Sequence, residues 1–420
     1  MKAVPLHRNR DFLLLQSAAL VSSAGSQMTP LAYSLLVLAL TGSPAKAGVA
    51  AFARLLGMAL CALPAGLAAD RWSRKRLMIA AHALRGLAVG TLGALIFGDQ
   101  IAFSVVPLVA FVEGSGAAVF SAAQAGALRA VVRRHQLPAA VATVTGREAA
   151  ISLGAPPLGG VLFGLSRALP FAVDAVSYVF STLALLAMRT PFEEQRDRDR
   201  SPLRTRLGEG LRFLWHHRFL RACAFLYAPT NFIGPGVLLA VVVIGKRHGL
   251  SGGAVGLLLS AFGACLLLGA FLSPLVRRLL PVRGILLLEL WTWVGCGLFL
   301  AWPNPYVLTA SILPTGLAIP STDSAVRSLQ LVMTPDRLLG RVESVRTTIA
   351  LLVAPLGPLT TGVLLGQVSE RATIAVFAAA GLALALWGTF SPSIRDAPSL
   401  DELDDLAEHA PAPSAASPRC

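Results

Sequence analysis

With 420 residues, 55% of them hydrophobic and only 14% charged, this chain has too little polar surface to coat a globule in water, where soluble domains carry about 25% charged residues. Its net charge of +14 would suit a nucleic-acid binder. The basic residues, however, fall in short breaks between long apolar runs, as cytoplasmic loops require, so lipid is the solvent and nucleic acid is not the partner.

Twelve runs of spanning length are predicted, at 12–40, 46–68, 77–98, 102–127, 138–165, 168–188, 219–245, 252–275, 284–302, 305–329, 341–366 and 371–391. Each is long enough to cross ~30 Å of hydrocarbon at ~1.5 Å per residue. Span 1 is too long for a signal sequence and has no small-residue cleavage pattern behind it. Its centre is polar: Ser22, Ser23, Gly25, Ser26, Gln27, Thr29 and Pro30. Span 2 carries Arg54, ~12 Å deep. A dense cationic hairpin follows from Gly66 to Met78, with Asp70, Arg71, Arg74, Lys75 and Arg76. Span 3 carries Arg85, and span 4 carries Glu113, ~18 Å deep and so near mid-bilayer. Each such charge costs ~2.5–3.5 kcal/mol at a helix centre and needs a pairing or a functional reason.

Span 5 opens with Arg147 and Glu148 and holds Ala155-Pro156-Pro157-Leu158-Gly159-Gly160, and span 6 carries Asp174. Between spans 6 and 7, residues 193–200 read as a solvated charge run. Leu203, Leu207, Leu211 and Leu214 then recur at helical spacing among Arg204, Arg206 and Arg212. That segment is an amphipathic helix, either in the membrane interface or docked on the ends of the bundle. Span 7 repeats a polar, broken centre with Tyr227, Pro229, Thr230, Asn231, Gly234 and Pro235. Span 9 has Glu289, near enough to the membrane edge to snorkel; span 10 has Asp323 and Arg327 at i, i+4, read as a structural pair. Span 11 begins near Arg341 and contains Gly357, Pro358 and Gly362. Beyond Pro392 the chain is acidic and then rich in Pro, Ala and Ser, a composition that predicts disorder.

The Lys and Arg bias places both termini in the cytoplasm, and the even number of spans agrees. Arg outnumbers Lys 32 to 4, a skew expected of a GC-rich bacterial source. The five cysteines are scattered, no metal-ligand spacing occurs, and nothing fits GxxxxGK[ST]. No cofactor is expected, ATP is not the direct energy source, and no enzyme constellation is visible. The two halves echo each other: Pro156, Gly160 and Gly164 recur as Pro358, Gly362 and Gly366, all at an offset of 202. Two sets of six spans in the same orientation make a parallel repeat.

Gly66-x-x-x-Asp70-Arg71-x-x-Arg74-Lys75 resembles the loop motif between helices 2 and 3 of the major facilitator superfamily, with Ala68 and Ser73 where the pattern has Leu and Gly. Pro156-x-x-Gly159-Gly160 resembles that superfamily's antiporter motif, with Ala155 in its first place, and Gly357-Pro358 to Gly362 repeats it. Leu40 to Pro44, Val173 to Tyr178, Thr334 to Arg337 and Pro355 to Pro358 resemble the macrolide-efflux and siderophore-exporter-like branch. The likeness covers about residues 10–390. One departure is Ala110, where many antiporters carry an Arg four residues before a Gly in helix 4.

The resemblance implies an all-α membrane protein of twelve transmembrane helices in two six-helix halves. Residues 1–190 form one half, 191–218 a linker, 219–391 the second half, and 392–420 a cytoplasmic tail. It implies a monomer in the cytoplasmic membrane exporting a small amphipathic molecule against protons, with facilitated uptake or a transporter-like sensor as rivals. It also implies residue roles. Gly66, Asp70, Arg71, Arg74 and Lys75 form a gating loop in which Asp70 caps the start of helix 11. Arg147, Glu148, Asp323, Arg327 and Arg341 belong to an inner gate. Pro156, Gly159, Gly160, Gly357, Pro358 and Gly362 serve cross-half packing and export. Ser26, Gln27, Tyr227 and Asn231 face each other across a substrate cavity. Glu113 and Arg54, on cavity-lining helices, are a proton-coupling pair or a permanent structural one. Arg85 and Asp174 lie on peripheral helices and read as structural.

Overall fold

The computed structural model describes residues 6–132, 134–189 and 203–396. The side chains of Asp70, Arg129, Arg134, Arg204, Arg206, Asp336 and Arg337 lie outside the described set, as do the charge run at 193–200 and the tail from 397. Among the described residues the secondary structure is helical throughout, without a strand. The first six spans are α1 (Arg10–Thr41), α2 (Pro44–Arg71), α3 (Arg74–Phe97), α4 (Val105–Val131), α5 (Leu137–Leu165) and α6 (Leu169–Ala187). A linker helix α7 (Leu203–His216) precedes α8 (Arg218–Arg247) and α9 (Gly252–Leu279). Then come α10 (Val282–Val294), α11 (Leu298–Ala301), α12 (Pro305–Met333), α13 (Asp336–Val353), α14 (Leu356–Gln367), α15 (Glu370–Phe390) and the short α16 (Pro392–Arg395).

Two predicted spans are broken. Span 9 is α10 and α11 joined by a 3-10 turn at Gly295–Gly297, where two glycines weaken the helix. Span 11 is α13 and α14, parted at Ala354-Pro355, because Pro355 has no amide to donate to the preceding turn. Ten helices or helix pairs among the described residues are long and apolar enough to cross a membrane. The polar centres of α1 and α12 keep those two off that count, although they run 32 and 29 residues within the same bundle. Phe97, Phe271, Leu279 and Phe390 stand 70–86% exposed on the outside of the bundle, a surface only lipid tolerates.

Local chemistry sets the helix ends. The turn between α1 and α2 is Thr41-Gly42-Ser43-Pro44: Gly42 sits at φ 62°, Ser43 accepts from the Lys46 amide, and Pro44 opens α2. Asn9, Ser251, Asn304 and Ser369 cap α1, α9, α12 and α15 in the same way. His217 holds the N-cap position of α8 without a side-chain capping bond, just outside the spans, where burial pushes its imidazole down, so it is uncharged at neutral pH.

Within the first set α1 packs on α5 and α6, α2 on α4, and α3 on α4 and α6. Within the second α9 packs on α12, α10 on α12 and α15, and α8 on α14 and α15. The two most extensive contacts between the sets are α5 with α9 and α2 with α14, the same pair of elements under the 202-residue repeat; α2 with α13 and α1 with α8 add smaller ones. We call the end of the bundle that holds Leu6, α7 and Asp396 the terminal end, and the opposite one the distal end.

The distal end is shut by bare backbone. A Cβ at Gly256 would lie 2.5 Å from both the Pro156 carbonyl and Pro157 Cα, and one at Gly252 would lie 2.6 Å from the Gly160 carbonyl. On the other side, Cβ atoms at Gly48 and Gly362 would each lie 2.6 Å from a carbonyl, of Pro358 and Pro44 respectively. At the terminal end, side chains added at Gly66, Gly146 or Gly340 would meet nothing within 4 Å. The helices splay there, and Val141, Thr143 and Thr145 of α5 are exposed.

The linker helix is docked. Gly210 brings the α7 backbone onto the Arg341 carbonyl, 2.6 Å from where a Cβ would stand. Glu209 pairs with Arg341, and Leu214 is buried with Ala224, Val342 and Val345. Leu211 and Trp215 on the other face remain 46% and 53% exposed. The arginine expected to act in an inner gate therefore holds α7 to α13.

Candidate functional site: a buried charge cluster beside a central cavity

Glu113 is wholly buried and its two carboxylate oxygens face two guanidinium groups. Arg54 Nε donates to Oε2 at 2.6 Å, from α2, and Arg85 Nη2 donates to Oε1, from α3. The same Arg85 nitrogen donates to Ser26 Oγ at 2.8 Å; Ser26 meets Tyr178 Oη at 2.9 Å, and Tyr178 Oη reaches back to Glu113 at 3.4 Å. The guanidinium also lies 4.5 Å from the Tyr178 ring centroid. A buried carboxylate with this many charge-assisted donors is held in place, and removing one partner leaves an unpaired charge worth about 3–5 kcal/mol.

Glycines make the approach possible. Gly114 lies against the Arg54 backbone, with no room for a Cβ, and a Cβ at Gly116 would lie 2.6 Å from Arg85 Cγ. The Glu113-Gly114-Ser115-Gly116 run is thus the local signal of the cluster. The sequence pairs Glu113 with Arg54, and the resemblance places Arg85 on a peripheral helix. The long arginine stem crosses the face of α4 that Gly116 leaves bare, and so a peripheral helix supplies a central charge. Two more buried ionisable groups complete the cluster. Asp174 on α6 has Oδ1 within 3.3 Å of Ser177 Oγ and Oδ2 without a partner. His82 on α3, its ring 4.1 Å from that of Phe120, has neither nitrogen paired.

A cavity of about 330 Å³ lies between the two sets of helices, next to this cluster. α1, α2 and α5 contribute Gln27, Tyr33, Ser34, Arg54 and Pro156; α8, α9 and α14 contribute Pro235, Leu239, Phe262 and Pro358. Leu31, Leu35, Val242 and Val255 pack together as its distal plug. The size is at the lower end for small-molecule sites, and its wall is mainly apolar.

Of the four expected cavity residues only Gln27 lines it. Ser26 is turned about 100° away on the same helix and is consumed by Tyr178 and Arg85. Tyr227 and Asn231 lie nearer the terminal end of α8: Asn231 donates to the Tyr227 carbonyl at 2.9 Å, and the Tyr227 ring carries Arg346 at 4.9 Å. A helix centre that reads as uniformly polar presents only one side to the cavity.

The terminal-end expectations also change. Arg327 approaches Glu343 at 4.0 Å rather than Asp323 of its own helix. Glu343 is held by Arg346 at 2.8 Å and by Gln330 at 3.0 Å, so a cross-helix group on α13 outcompetes the i, i+4 neighbour. Arg147 pairs with Glu148 at 3.5 Å and with Gln16 of α1. In the hairpin, Lys75 Nζ donates to the carbonyls of Met188 at 2.7 Å and Leu186 at 3.3 Å, closing the C-terminal end of α6. Arg71 is exposed, and the Asp70 side chain lies outside the described residues. Gly160 and Pro156 meet α9, and Pro358 and Gly362 meet α2, across the two sets, whereas Gly159 meets α1 and Gly357 meets α8 within their own set. Glu289 does not snorkel; it is buried among α8, α10 and α12 beside Tyr227 and Thr322. No cluster of three or more metal-ligating side chains occurs among the described residues.

The family profile described as transmembrane secretion effector matches residues 3–417. The multidrug efflux pump Tap of Mycolicibacterium fortuitum is 28% identical over 412 residues, covering 91% of this chain and 96% of that protein. The pump of the same name from Mycobacterium tuberculosis (strain ATCC 25618 / H37Rv) is 27% identical over 421 residues, covering 95% and 96%. Among solved structures, a bacterial homologue of the human lysosomal transporter Spinster, inward-facing and occupied, superposes with TM-score 0.75 at 13% identity, covering 94% of this chain and 98% of that one. A bacterial homologue of ferroportin, inward-facing, gives 0.69 at 17% identity, covering 92% and 99%. At these identities the structures speak for the fold alone.

Proposed function

We propose, from the premise that this chain belongs to the transmembrane secretion effector family of major facilitator transporters, that it exports a small amphipathic organic molecule in exchange for protons. On this reading residues 1–190 and 219–391 are two six-helix halves joined by a linker at 191–218, with both termini in the cytoplasm as the Lys and Arg bias expects. On that orientation the terminal end is the inner one, and the close backbone contacts at the distal end support reading the state as inward-open. The observation that carries the reading is the Arg54–Glu113 pair, because Glu113 is buried while the Arg54 bonded to it is part of the cavity wall. A proton on Glu113 loosens its hold on Arg54 and leaves a net positive charge beside the cargo. Proton and cargo thereby act on one another through a shared charge, as linkage requires.

Efflux is supported by the pump relatives and by the Pro-Gly faces of α5 and α14. In everted vesicles containing the full chain, an imposed pH gradient, acidic inside, should drive accumulation of a fluorescent amphiphile such as ethidium or Hoechst 33342, and an uncoupler should collapse it. Uptake in the opposite direction would reverse the assignment, and transport insensitive to the gradient would remove the proton.

The hairpin keeps its proposed gating role through Asp70, which would meet the N-terminal end of α13 when the inner end closes. An acidic group at a helix N-terminus is favoured by about 0.3–1 kcal/mol, enough to bias a two-state equilibrium. The repeat places Ser273 at the equivalent position, where it is buried without a hydrogen-bond partner. Asp70→Asn should therefore lower the turnover rate several-fold, whereas Ser273→Ala should leave it near wild type. Equal effects in a vesicle export assay would assign Asp70 to structure alone.

A further inference from the structure

The buried cluster contains an unmatched pair. Asp174 Oδ2 and Arg85 Nε are both inaccessible to solvent, and neither has a hydrogen-bond partner. One is an acceptor and the other a donor, and each lies within electrostatic reach of the other. Asp174 projects from α6 toward α1, where a Cβ on Gly25 would overlap its Oδ1. The groups around it are Arg85 and His82 from α3, Tyr33 and Ser26 from α1, Glu113 from α4, Arg54 from α2 and Tyr178 from α6 itself. Arg54 and Arg85 are both committed to Glu113. Asp174 is left with Ser177 alone, and an ionised carboxylate at this depth with one oxygen bare is far more costly than the neutral acid.

We propose that Asp174 carries the transported proton in the inward-open state and that Arg85 exchanges it with Glu113. This rests on the proton-coupled reading above and assigns a second carboxyl to it. In the state described here Arg85 holds Glu113 ionised and Asp174 keeps its proton on Oδ2. When Arg85 turns its guanidinium to Asp174, the Oδ2–H bond breaks and that same proton passes to Glu113, now faced by Arg54 only, where a new Oε–H bond forms. The cluster holds one proton before and after, and two guanidiniums face one carboxylate and one neutral acid in both states. Because Asp174 abuts Gly25 of α1 and Gln27 of that helix lines the cavity, the exchange reaches the cargo through a rigid element.

Infrared difference spectroscopy on the full-length protein in liposomes, alkaline minus neutral, tests this without a cargo. Wild type should lose the carbonyl stretch of a protonated carboxyl, and the band should shift when aspartate carries 13C at its side-chain carboxyl. It should vanish in Asp174→Asn, and in Glu113→Gln it should already be depleted at neutral pH because Arg85 is freed. Asp323→Asn should leave the labelled band in place, which separates Asp174 from Asp323 even where Asp174→Asn fails to fold. A band that ignores the aspartate label, or no band at all, overturns the assignment and leaves proton-coupled export standing. A labelled band unchanged in Glu113→Gln overturns the Arg85 exchange. A labelled band in a protein whose vesicle transport ignores the pH gradient overturns the coupling reading alone.

Discussion

Glu113→Gln should abolish pH-gradient-driven export in everted vesicles. The substitution is nearly isosteric, but a neutral amide cannot hold two guanidiniums. Arg54 at 2.6 Å and Arg85 on the other oxygen would both lose their counter-charge, Arg85 in a fully buried site and Arg54 in the cavity wall. Losing a buried partner costs about 3–5 kcal/mol, so at least a hundredfold loss of coupled transport is expected. Part of that cost falls on stability, and the two effects separate by counter-substitution. In Glu113→Gln combined with Arg54→Gln one surplus charge is gone, so protein abundance and thermal stability should recover while coupled export should not. Undiminished export in the single variant would take Glu113 out of the proton route and leave the cluster a structural device.

Gly256→Val should push the transporter out of the state described here. Valine places Cβ where the Pro156 carbonyl and Pro157 Cα lie 2.5 Å away, and both are backbone atoms of a proline pair with little freedom to retreat. Overpacking of this kind costs about 1–3 kcal/mol, and it acts only when the distal ends of α5 and α9 are in contact. In a two-state transporter that is a shift of about 5- to 150-fold toward the alternative state, with turnover falling accordingly. A cysteine at Ser34, in the cavity wall, reports the shift. Against the native background it should react with an impermeant maleimide from the terminal side of the bundle. With Gly256→Val it should react from the distal side. Reaction from the terminal side in both would mean that the α5–α9 contact does not govern access.

The reach of sequence reading differs between elements for physical reasons. Span limits were legible to within a few residues, because lipid punishes every polar backbone or side-chain group left unpaired and so writes length and hydropathy directly into the chain. The breaks at Gly295–Gly297 and Ala354-Pro355 were not anticipated, since glycine and proline are common inside spans and only packing decides which of them parts a helix. The cross-bundle glycines were legible because their spacing recurs at a constant offset. The cavity walls were not: Ser26 and Gln27 are adjacent, and which of them faces the cavity depends on the rotation of α1 against α6. Asp323 and Arg327 illustrate the same limit, since an i, i+4 rule knows nothing of Glu343 on the next helix.

The linear chain therefore carried what a uniform solvent imposes: an all-helical membrane protein, its span boundaries, its repeat and its family. Only the tertiary structure decided that Glu113 has two arginines and Asp174 none in contact, that α7 is docked on α13 through Gly210, and that the distal end is the closed one. Each of those depends on distances between helices remote in sequence, where a guanidinium can reach any of several carboxylates and the packing of bare glycine backbone selects one.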